Sequence, residues 1–142
     1  MTSASRDRHQ SIRVADLMRP AVTTVERPAH LAAAAYLMKH GGASALVVIS
    51  DEHERAPIGI ITDADIADAV AEGRSLDEAR ISDLVDRAPV VTGPDTPISV
   101  AAATLLSAQL RQLPVVDQGH LVGILDISDA CRGLLPVPAK AG

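Results

Sequence analysis

The chain has 142 residues, 47% of them hydrophobic and 22% charged, a balance typical of a folded globular protein rather than a disordered one. This length suits one ordinary domain and is too short for two independent domains of average size. A net charge of −5, with no Phe or Trp and a single Tyr, argues against a nucleic-acid partner, which requires basic groups for phosphates and aromatic rings for bases.

No segment predicts a membrane anchor or secretion. No apolar stretch approaches the roughly 20 residues that a spanning helix needs, and residues 1–10 lack the apolar core of a signal peptide. We therefore expect a cytoplasmic protein without membrane contact. The single cysteine, Cys131, excludes an internal disulfide, and we expect it to be a small buried side chain.

Hydrophobic periodicity predicts the elements of the first half of the chain. Residues 1–13 show no hydrophobic period and are predicted to form a flexible tail. Apolar residues with the i, i+3, i+4, i+7 spacing of a helix are Leu31, Ala34, Ala35 and Met38. The predicted elements are a strand at 22–25, this helix, a hairpin of strands at 46–49 and 58–61, and a helix at 63–72 that Gly73 ends.

The second half of the chain repeats the first. An offset of 67 residues aligns Val14 with Ile81 and continues without a gap to Ser50 and Asp117, after which the offset falls to 64. The predicted elements are a strand at 90–92, a helix with the apolar stripe Ile98, Ala101, Ala102 and Leu105, a hairpin at 113–116 and 121–125, and a helix at 128–135.

These elements predict an α+β fold of two pseudo-symmetric β-α-β-β-α repeats. The predicted parts are repeat 1 at 14–73, a linker at 74–80, repeat 2 at 81–135 and a flexible tail at 136–142. Because neither repeat has enough apolar residues for a core of its own, we expect the two to pack face to face about a pseudo-twofold axis. A cleft then runs between them.

The octet 59–66, GIITDADI, is the repeated stretch that carries chemistry, and its counterpart is 123–130, GILDISDA. Thr62 and Asp65 lie where a strand ends and a helix begins. An ionised Asp accepts both hydroxyls of a ribose diol, and the free N–H groups of a helix start suit a phosphate. The same spacing is also close to a helix-capping pattern. On the motif alone the two interpretations are equally supported, and they are compatible.

The order of elements, the GIITDADI run and the QLPVVD run at 112–117 resemble the cystathionine β-synthase (CBS) domain, whose tandem pair is called a Bateman module. The similarity covers residues 14–135. It implies a pseudo-symmetric α+β pair that usually dimerises, binds adenosine nucleotides between its repeats and regulates rather than catalyses.

The resemblance implies two unequal sites. The preferred nucleotide site consists of Thr62, Asp65, Val90, Leu110 and Arg111. The second site consists of Thr23, Ala43, Ser44, Asp126 and Asp129. Asp126 replaces the family's hydroxyl residue, and a carboxylate about 4 Å from a phosphate charge costs on the order of 4 kcal/mol at an effective dielectric near 20. We expect this site to be empty, to hold an uncharged group or to require a bridging cation such as Mg²⁺.

The sequence therefore predicts a stand-alone regulatory module that binds AMP, ADP, ATP or S-adenosylmethionine, forms a homodimer and signals to a separate protein effector. The alternative is a ligand-free dimerising interaction scaffold. No Ser/His/Asp or Cys/His arrangement predicts an enzyme, and the five histidines lack the paired spacing of a zinc site, so we expect no metal.

Overall fold

The computed structural model of the protein describes residues 12–20, 23–50, 56–85 and 88–136. Most of the two predicted tails, residues 1–11 and 137–142, therefore lies outside the described residues. The architecture is α+β, as predicted. In chain order the elements are α1 (Val14–Leu17), β1 (Thr24–Glu26), α2 (Leu31–Gly41), β2 (Ala45–Ile49), β3 (Pro57–Thr62), α3 (Asp63–Ala71), a 3₁₀ turn (Ile81–Asp83), α4 (Ile98–Ser107), β4 (Gln112–Asp117), β5 (His120–Asp126) and α5 (Ile127–Leu134).

The first repeat forms a three-stranded sheet in the order β1–β2–β3. β1 pairs with β2 in parallel, and β2 pairs with β3 antiparallel, which confirms the predicted hairpin. The central strand β2 is a continuous apolar run whose first four residues are buried. Such a run is typical of a strand that is covered on both faces.

The second repeat keeps the hairpin but has no full strand at 90–92. β4 and β5 pair antiparallel, whereas only Thr92 bridges to β4 in parallel. The N–H of Thr92 donates to the carbonyl of Pro114 (3.0 Å), and the N–H of Val116 donates to the carbonyl of Thr92 (2.8 Å). The next bonds of this ladder need N–H groups from Pro114 and Pro94, and proline has none. The strand prediction is therefore wrong beyond this one bridge.

Each repeat contributes its N-terminal segment to the core of the other repeat. The N–H of Val14 donates to the carbonyl of Thr96 (2.9 Å), and the N–H of Ile81 donates to the carbonyl of Ala29 (2.8 Å). Both Val14 and Ile81 are fully buried. The first core consists of Val25, Leu31, Ala34, Met38, Leu46, Val48, Ile61, Ala69 and Ile81. The second core consists of Val14, Ile98, Ala101, Leu105, Leu113, Val115, Leu125 and Ala130.

Two equivalent glycines let these crossing segments lie directly against the sheets. A Cβ at Gly59, in β3, would overlap the side chain of Val85. A Cβ at Gly123, in β5, would lie 2.7 Å from Sδ of Met18 and 2.8 Å from the carbonyl oxygen of Arg19. Met18 and Val85 are aligned by the 67-residue offset. The glycine in each octet is therefore explained by a close approach of the partner repeat's segment.

The structure tests two sequence predictions about the helices, the end of α3 and the burial of Cys131. Gly73 has φ +82° just after α3, so the predicted helix end is confirmed. Cys131 is exposed, contrary to our expectation, because the buried face of α5 is formed by residues 129, 130 and 133. None of the helices in the described part of the chain has the length and apolar character that crossing a membrane needs.

Candidate functional site

Thr62 and Asp65 form the N-terminal cap of α3. The N–H of Thr62 donates to Oδ2 of Asp65 (2.8 Å), and the N–H of Asp65 donates to Oγ1 of Thr62 (3.2 Å). The capping interpretation of this motif is thus confirmed. The cap uses one carboxylate oxygen of Asp65, and Oδ1 makes no hydrogen bond to any residue that the structure describes. A ligand therefore has an acceptor available at this position.

A first cleft of about 500 Å³ opens at this cap, between the first repeat and the segment before β4 of the second repeat. Its volume falls within the ~300–1,000 Å³ that small-molecule sites usually have. The lining residues are Ser44, Ile60, Thr62, Asp63, Ala64, Asp65, Gln109, Leu110, Arg111 and Gln112. Four residues of the preferred site, Thr62, Asp65, Leu110 and Arg111, lie together on this wall. The fifth, Val90, does not line the cleft and is 44% exposed.

Arg111 supplies the positive charge of the first cleft. Its side chain is exposed and forms no ion pair with a residue in the described ranges. Its carbonyl accepts from the N–H of Ile127 (2.8 Å), which holds the backbone against the start of α5. The first cleft thus presents an anion at Asp65 for hydroxyl groups and a cation at Arg111 for an acidic group.

A second cleft of about 280 Å³ lies beside the first. Ser44 and Gln112 line both clefts, and Nε2 of Gln112 donates to Oγ of Ser44 (3.3 Å) between them. The lining residues are Arg19, Pro20, Thr23, Leu37, Gly41, Gly42, Ala43, Ser44, Ala45, Leu46, Val47, Gln112, Ile124 and Asp126. Four of the five predicted residues of the second site are therefore together, and Asp129 is missing from the wall.

Asp129 is buried behind Arg19. The residue is only 6% exposed, and its carboxylate accepts from Nε (3.0 Å) and Nη2 (3.3 Å) of Arg19. Nη1 of Arg132 donates to the same carboxylate (2.9 Å). The hydrogen bond and charge of Asp129 raise the pKa of Arg19 above its ordinary value. The carboxylate that aligns with Asp65 is thus already paired with two guanidinium groups.

Sequence reasoning missed Arg19. Its partner Asp129 is 110 residues away, so no local pattern joins them. The repeat alignment did contain a signal, because the residue 67 positions after Arg19 is Asp86, of opposite charge. Asp86 lies outside the described residues.

Asp126 caps α5 with its carboxylate. Oδ1 accepts from the N–H (2.8 Å) and the hydroxyl (2.7 Å) of Ser128, and Oδ2 accepts from Nε2 of Gln112 (3.0 Å). Burial alone raises the pKa of Asp126, but the hydrogen bonds from Ser128 and Gln112 and the charge of Arg19 outweigh it, so the pKa lies below its ordinary value. Asp126 is therefore an anion on the wall of the second cleft. Among the described residues, no group of three or more His, Cys, Asp or Glu side chains is placed to hold a metal.

The sequence model of the CBS domain matches the chain twice, at residues 14–72 and 81–136. These matches cover more than half of the chain, so the protein belongs to the CBS domain family and contains a tandem pair of the domain. The architecture of two α+β repeats agrees with this assignment.

Three curated relatives illustrate the range of proteins that contain a similar pair. The uncharacterized protein MK0525 of Methanopyrus kandleri is 29% identical over 122 residues, covering 84% of this chain and 61% of that protein. The CBS domain-containing protein YhcV of Bacillus subtilis is 32% identical, with 82% and 81% covered. A homoserine O-acetyltransferase of Methanosphaerula palustris is 34% identical, but this chain spans only 24% of it, against 86% of the chain itself.

Solved structures share the fold. The CBS domain protein PAE2072 of Pyrobaculum aerophilum, complexed with AMP, has a TM-score of 0.76 at 27% identity, covering 84% of this chain and 91% of that one. CBSX2 in complex with AMP has a TM-score of 0.71 at 28% identity, with 84% and 93% covered. Hypoxic Response Protein I, with two coordinated zinc ions, has a TM-score of 0.76 at 28% identity, with 88% and 100% covered.

Proposed function

We propose that this CBS pair is a regulatory module that binds an adenine nucleotide in the first cleft and passes the occupancy of that cleft to a separate protein. The observation that carries the proposal is the arrangement of Asp65 and Arg111 on one wall. Asp65 has an unused carboxylate oxygen for a ribose diol, and Arg111 has a guanidinium without an ion-pair partner in the described ranges.

The helix cap supports the ligand role of Asp65 rather than competing with it. The N–H of Thr62 holds Oδ2 at 2.8 Å, which fixes the orientation of the carboxylate and leaves Oδ1 to the ligand. Because the cap already orders the Asp65 side chain, binding of a ribose does not have to order it, and less rotamer entropy is lost on binding.

Related structures support AMP as the first ligand to test. Two structures at 27% and 28% identity contain AMP. ADP, ATP and S-adenosylmethionine are the other candidates, and no obligatory cofactor is part of the proposal.

The proposal includes self-association as a homodimer. The CBS-CP12 protein, a solved structure at 28% identity and a TM-score of 0.78, is hexameric, which supports assembly of CBS pairs in general. A ligand that binds one arrangement of such an assembly more tightly shifts the population toward it, and only by that difference in affinity. This is how occupancy of the cleft would reach a protein effector.

The experiment is isothermal titration of the purified protein with AMP, ADP, ATP and S-adenosylmethionine, each repeated as a thermal shift at millimolar ligand. Saturable heat and a raised melting temperature with at least one of them are expected. No heat and no shift with any of the four would contradict the proposal. That result, together with a stable dimer by light scattering, would favour the ligand-free interaction scaffold.

A further inference from the structure

We infer that Arg19 is a specificity-determining residue that closes the second cleft to nucleosides, by holding the carboxylate that would otherwise receive the ribose hydroxyls. This inference rests on the proposed function, because it takes Asp65 as the diol acceptor of the first cleft and Asp129 as its equivalent. Arg19 determines whether the second cleft can bind a nucleoside, and it has no role in ligand binding at the first cleft.

The two equivalent carboxylates differ in exposure. Asp65 lines the first cleft, whereas Asp129 is 6% exposed and does not line the second. Arg19 lines the second cleft in its place, with its side chain 63% exposed. The guanidinium therefore covers the carboxylate on the side that faces the open space. The second cleft is also the smaller one, at about 280 Å³ against 500 Å³.

Hydrogen-bond capacity leads to the same conclusion. Both carboxylate oxygens of Asp129 accept from Arg19, and Oδ1 also accepts from Arg132. A ribose diol must replace the two donors of Arg19, which are charged, with hydroxyls, which are neutral. Hydrogen bonds from charged donors are roughly twice as strong as neutral ones, so the exchange is unfavourable.

The backbone of Arg19 is fixed, so the guanidinium is not free to leave with its segment. Its N–H donates to the carbonyl of Ile124 (2.9 Å), and the N–H of Ile124 donates to the carbonyl of Arg19 (2.8 Å). This bridge attaches the segment after α1 to β5. Only rotation of the side chain uncovers Asp129.

The remaining wall determines which ligand an opened second cleft takes. Asp126 is an anion there, with a pKa below its ordinary value. Removal of Arg19 deletes the one cation among the described residues that line the second cleft. An opened second cleft therefore favours uncharged adenosine over AMP, the reverse of the order expected for the first cleft with Arg111.

The test uses adenosine and AMP as probes and removes binding at the first cleft with Asp65→Asn. Isothermal titration compares this variant with Asp65→Asn/Arg19→Ala. We expect adenosine to bind the double variant at least roughly tenfold more tightly than Asp65→Asn alone, and more tightly than AMP does. Asp65→Asn/Arg74→Ala is the matched control, because Arg74 forms a surface ion pair with Glu72 and lines neither cleft.

Two additional variants keep the test decisive. The first is Arg19→Met, which keeps the packing of the alkyl stem if the alanine variant unfolds. In either Arg19 variant, Arg132 still pairs with Asp129. Adding Asp129→Asn to the double variant must abolish the gained binding. In the single Arg19→Ala variant, the expected stoichiometry for adenosine rises from one to two per chain.

The failure of this inference differs from the failure of the proposed function. If the wild type binds AMP, Asp65→Asn does not, and both folded Arg19 variants gain no adenosine site, Arg19 does not close the second cleft and the proposed function stands. If the wild type binds nothing while Arg19→Ala binds adenosine, the closing role of Arg19 stands and the first cleft is the wrong site.

Discussion

The guanidinium of Arg19 donates two hydrogen bonds to the carboxylate of Asp129, which follows it by 110 residues. This pair joins the segment that crosses from the first repeat to the last helix of the second. Asp65, which is equivalent to Asp129 in the first cleft, instead caps a helix and keeps one carboxylate oxygen unused among the described residues. This ion pair is one of the features that make the two clefts unequal, together with their volumes and the anion at Asp126.

Removing both guanidinium groups from Asp129 is expected to destabilise the protein by more than the two single losses combined. Arg19→Ala leaves Arg132 on the carboxylate, and Arg132→Ala leaves Arg19. Both arginines are mostly exposed, so each single variant costs little. The double variant leaves a buried carboxylate without a cation, which is strongly unfavourable. Urea unfolding of the four proteins measures the coupling, and strictly additive losses would contradict the pairing.

Gly59→Ala is expected to destabilise the protein by about 1–3 kcal/mol, because the new methyl group overlaps the stiff, β-branched Val85. Val85→Ala removes the overlapping methyl groups, so the Gly59→Ala/Val85→Ala variant should be more stable than Gly59→Ala alone. Thermal and urea unfolding check this order.

Gly41→Ala is the control for the glycine series, since a Cβ there meets nothing within 4 Å and the residue has no positive φ. Its free energy of unfolding should stay within about 0.5 kcal/mol of the wild type. If Val85→Ala does not rescue Gly59→Ala, the crossing segment is not what requires glycine at this position.

Asp126 is expected to contribute stability that depends on pH. Its folded pKa is lowered by Ser128, Gln112 and Arg19 despite burial, so the contribution is present above the unfolded value of about 3.9 and is lost as the pH falls through the folded pKa. The difference in free energy of unfolding between wild type and Asp126→Asn should therefore shrink between about pH 5 and pH 2. Urea unfolding across this range measures it, and a constant difference would show that the carboxylate charge does not matter.

Arg111→Ala is expected to weaken AMP binding by roughly tenfold, because a charge-assisted contact to the phosphate is lost. Adenosine has no phosphate and should bind the variant and the wild type equally. Arg111→Lys retains the charge and should recover part of the AMP affinity. Equal losses for adenosine and AMP would indicate a structural effect of the substitution instead.

Much of the fold was predictable because the same pattern occurs twice. The helices from Leu31 and Ile98 follow from apolar spacing, and the hairpins follow from β-branched runs bounded by turns. These are local signals, and the repeat gives two readings of each. The family follows from the same stretches, with matches at 14–72 and 81–136.

Long-range features were not predictable from local patterns. The exchange of N-terminal segments depends on which sheet each segment reaches. Nothing in the sequence around Val14 indicates that it packs in the core of the second repeat. The predicted strand at 90–92 does not form because Pro114, on its partner strand, and Pro94, after it, lack the N–H groups that its ladder needs. Hydrophobic periodicity within 90–92 gives no information on either proline. The closure of the second cleft depends on Arg19, which no motif includes.

The candidate site was predictable in part. The resemblance named Thr62, Asp65, Leu110 and Arg111, and the structure places them on one wall. Val90 lies elsewhere because its segment pairs with β4 only at Thr92. The binding roles of both sets of residues stay predictions until a ligand is measured.

The most direct test of the account is titration of AMP into the wild type, Asp65→Asn and Asp68→Asn, each confirmed as folded by thermal unfolding. Asn at 65 still offers a carbonyl oxygen to the N–H of Thr62, so the cap is retained while the anion is lost. Asp68 is exposed on the same helix and lines neither cleft. The account predicts saturable AMP binding for the wild type and Asp68→Asn, and its loss in Asp65→Asn. Unchanged AMP affinity in a folded Asp65→Asn variant would contradict it.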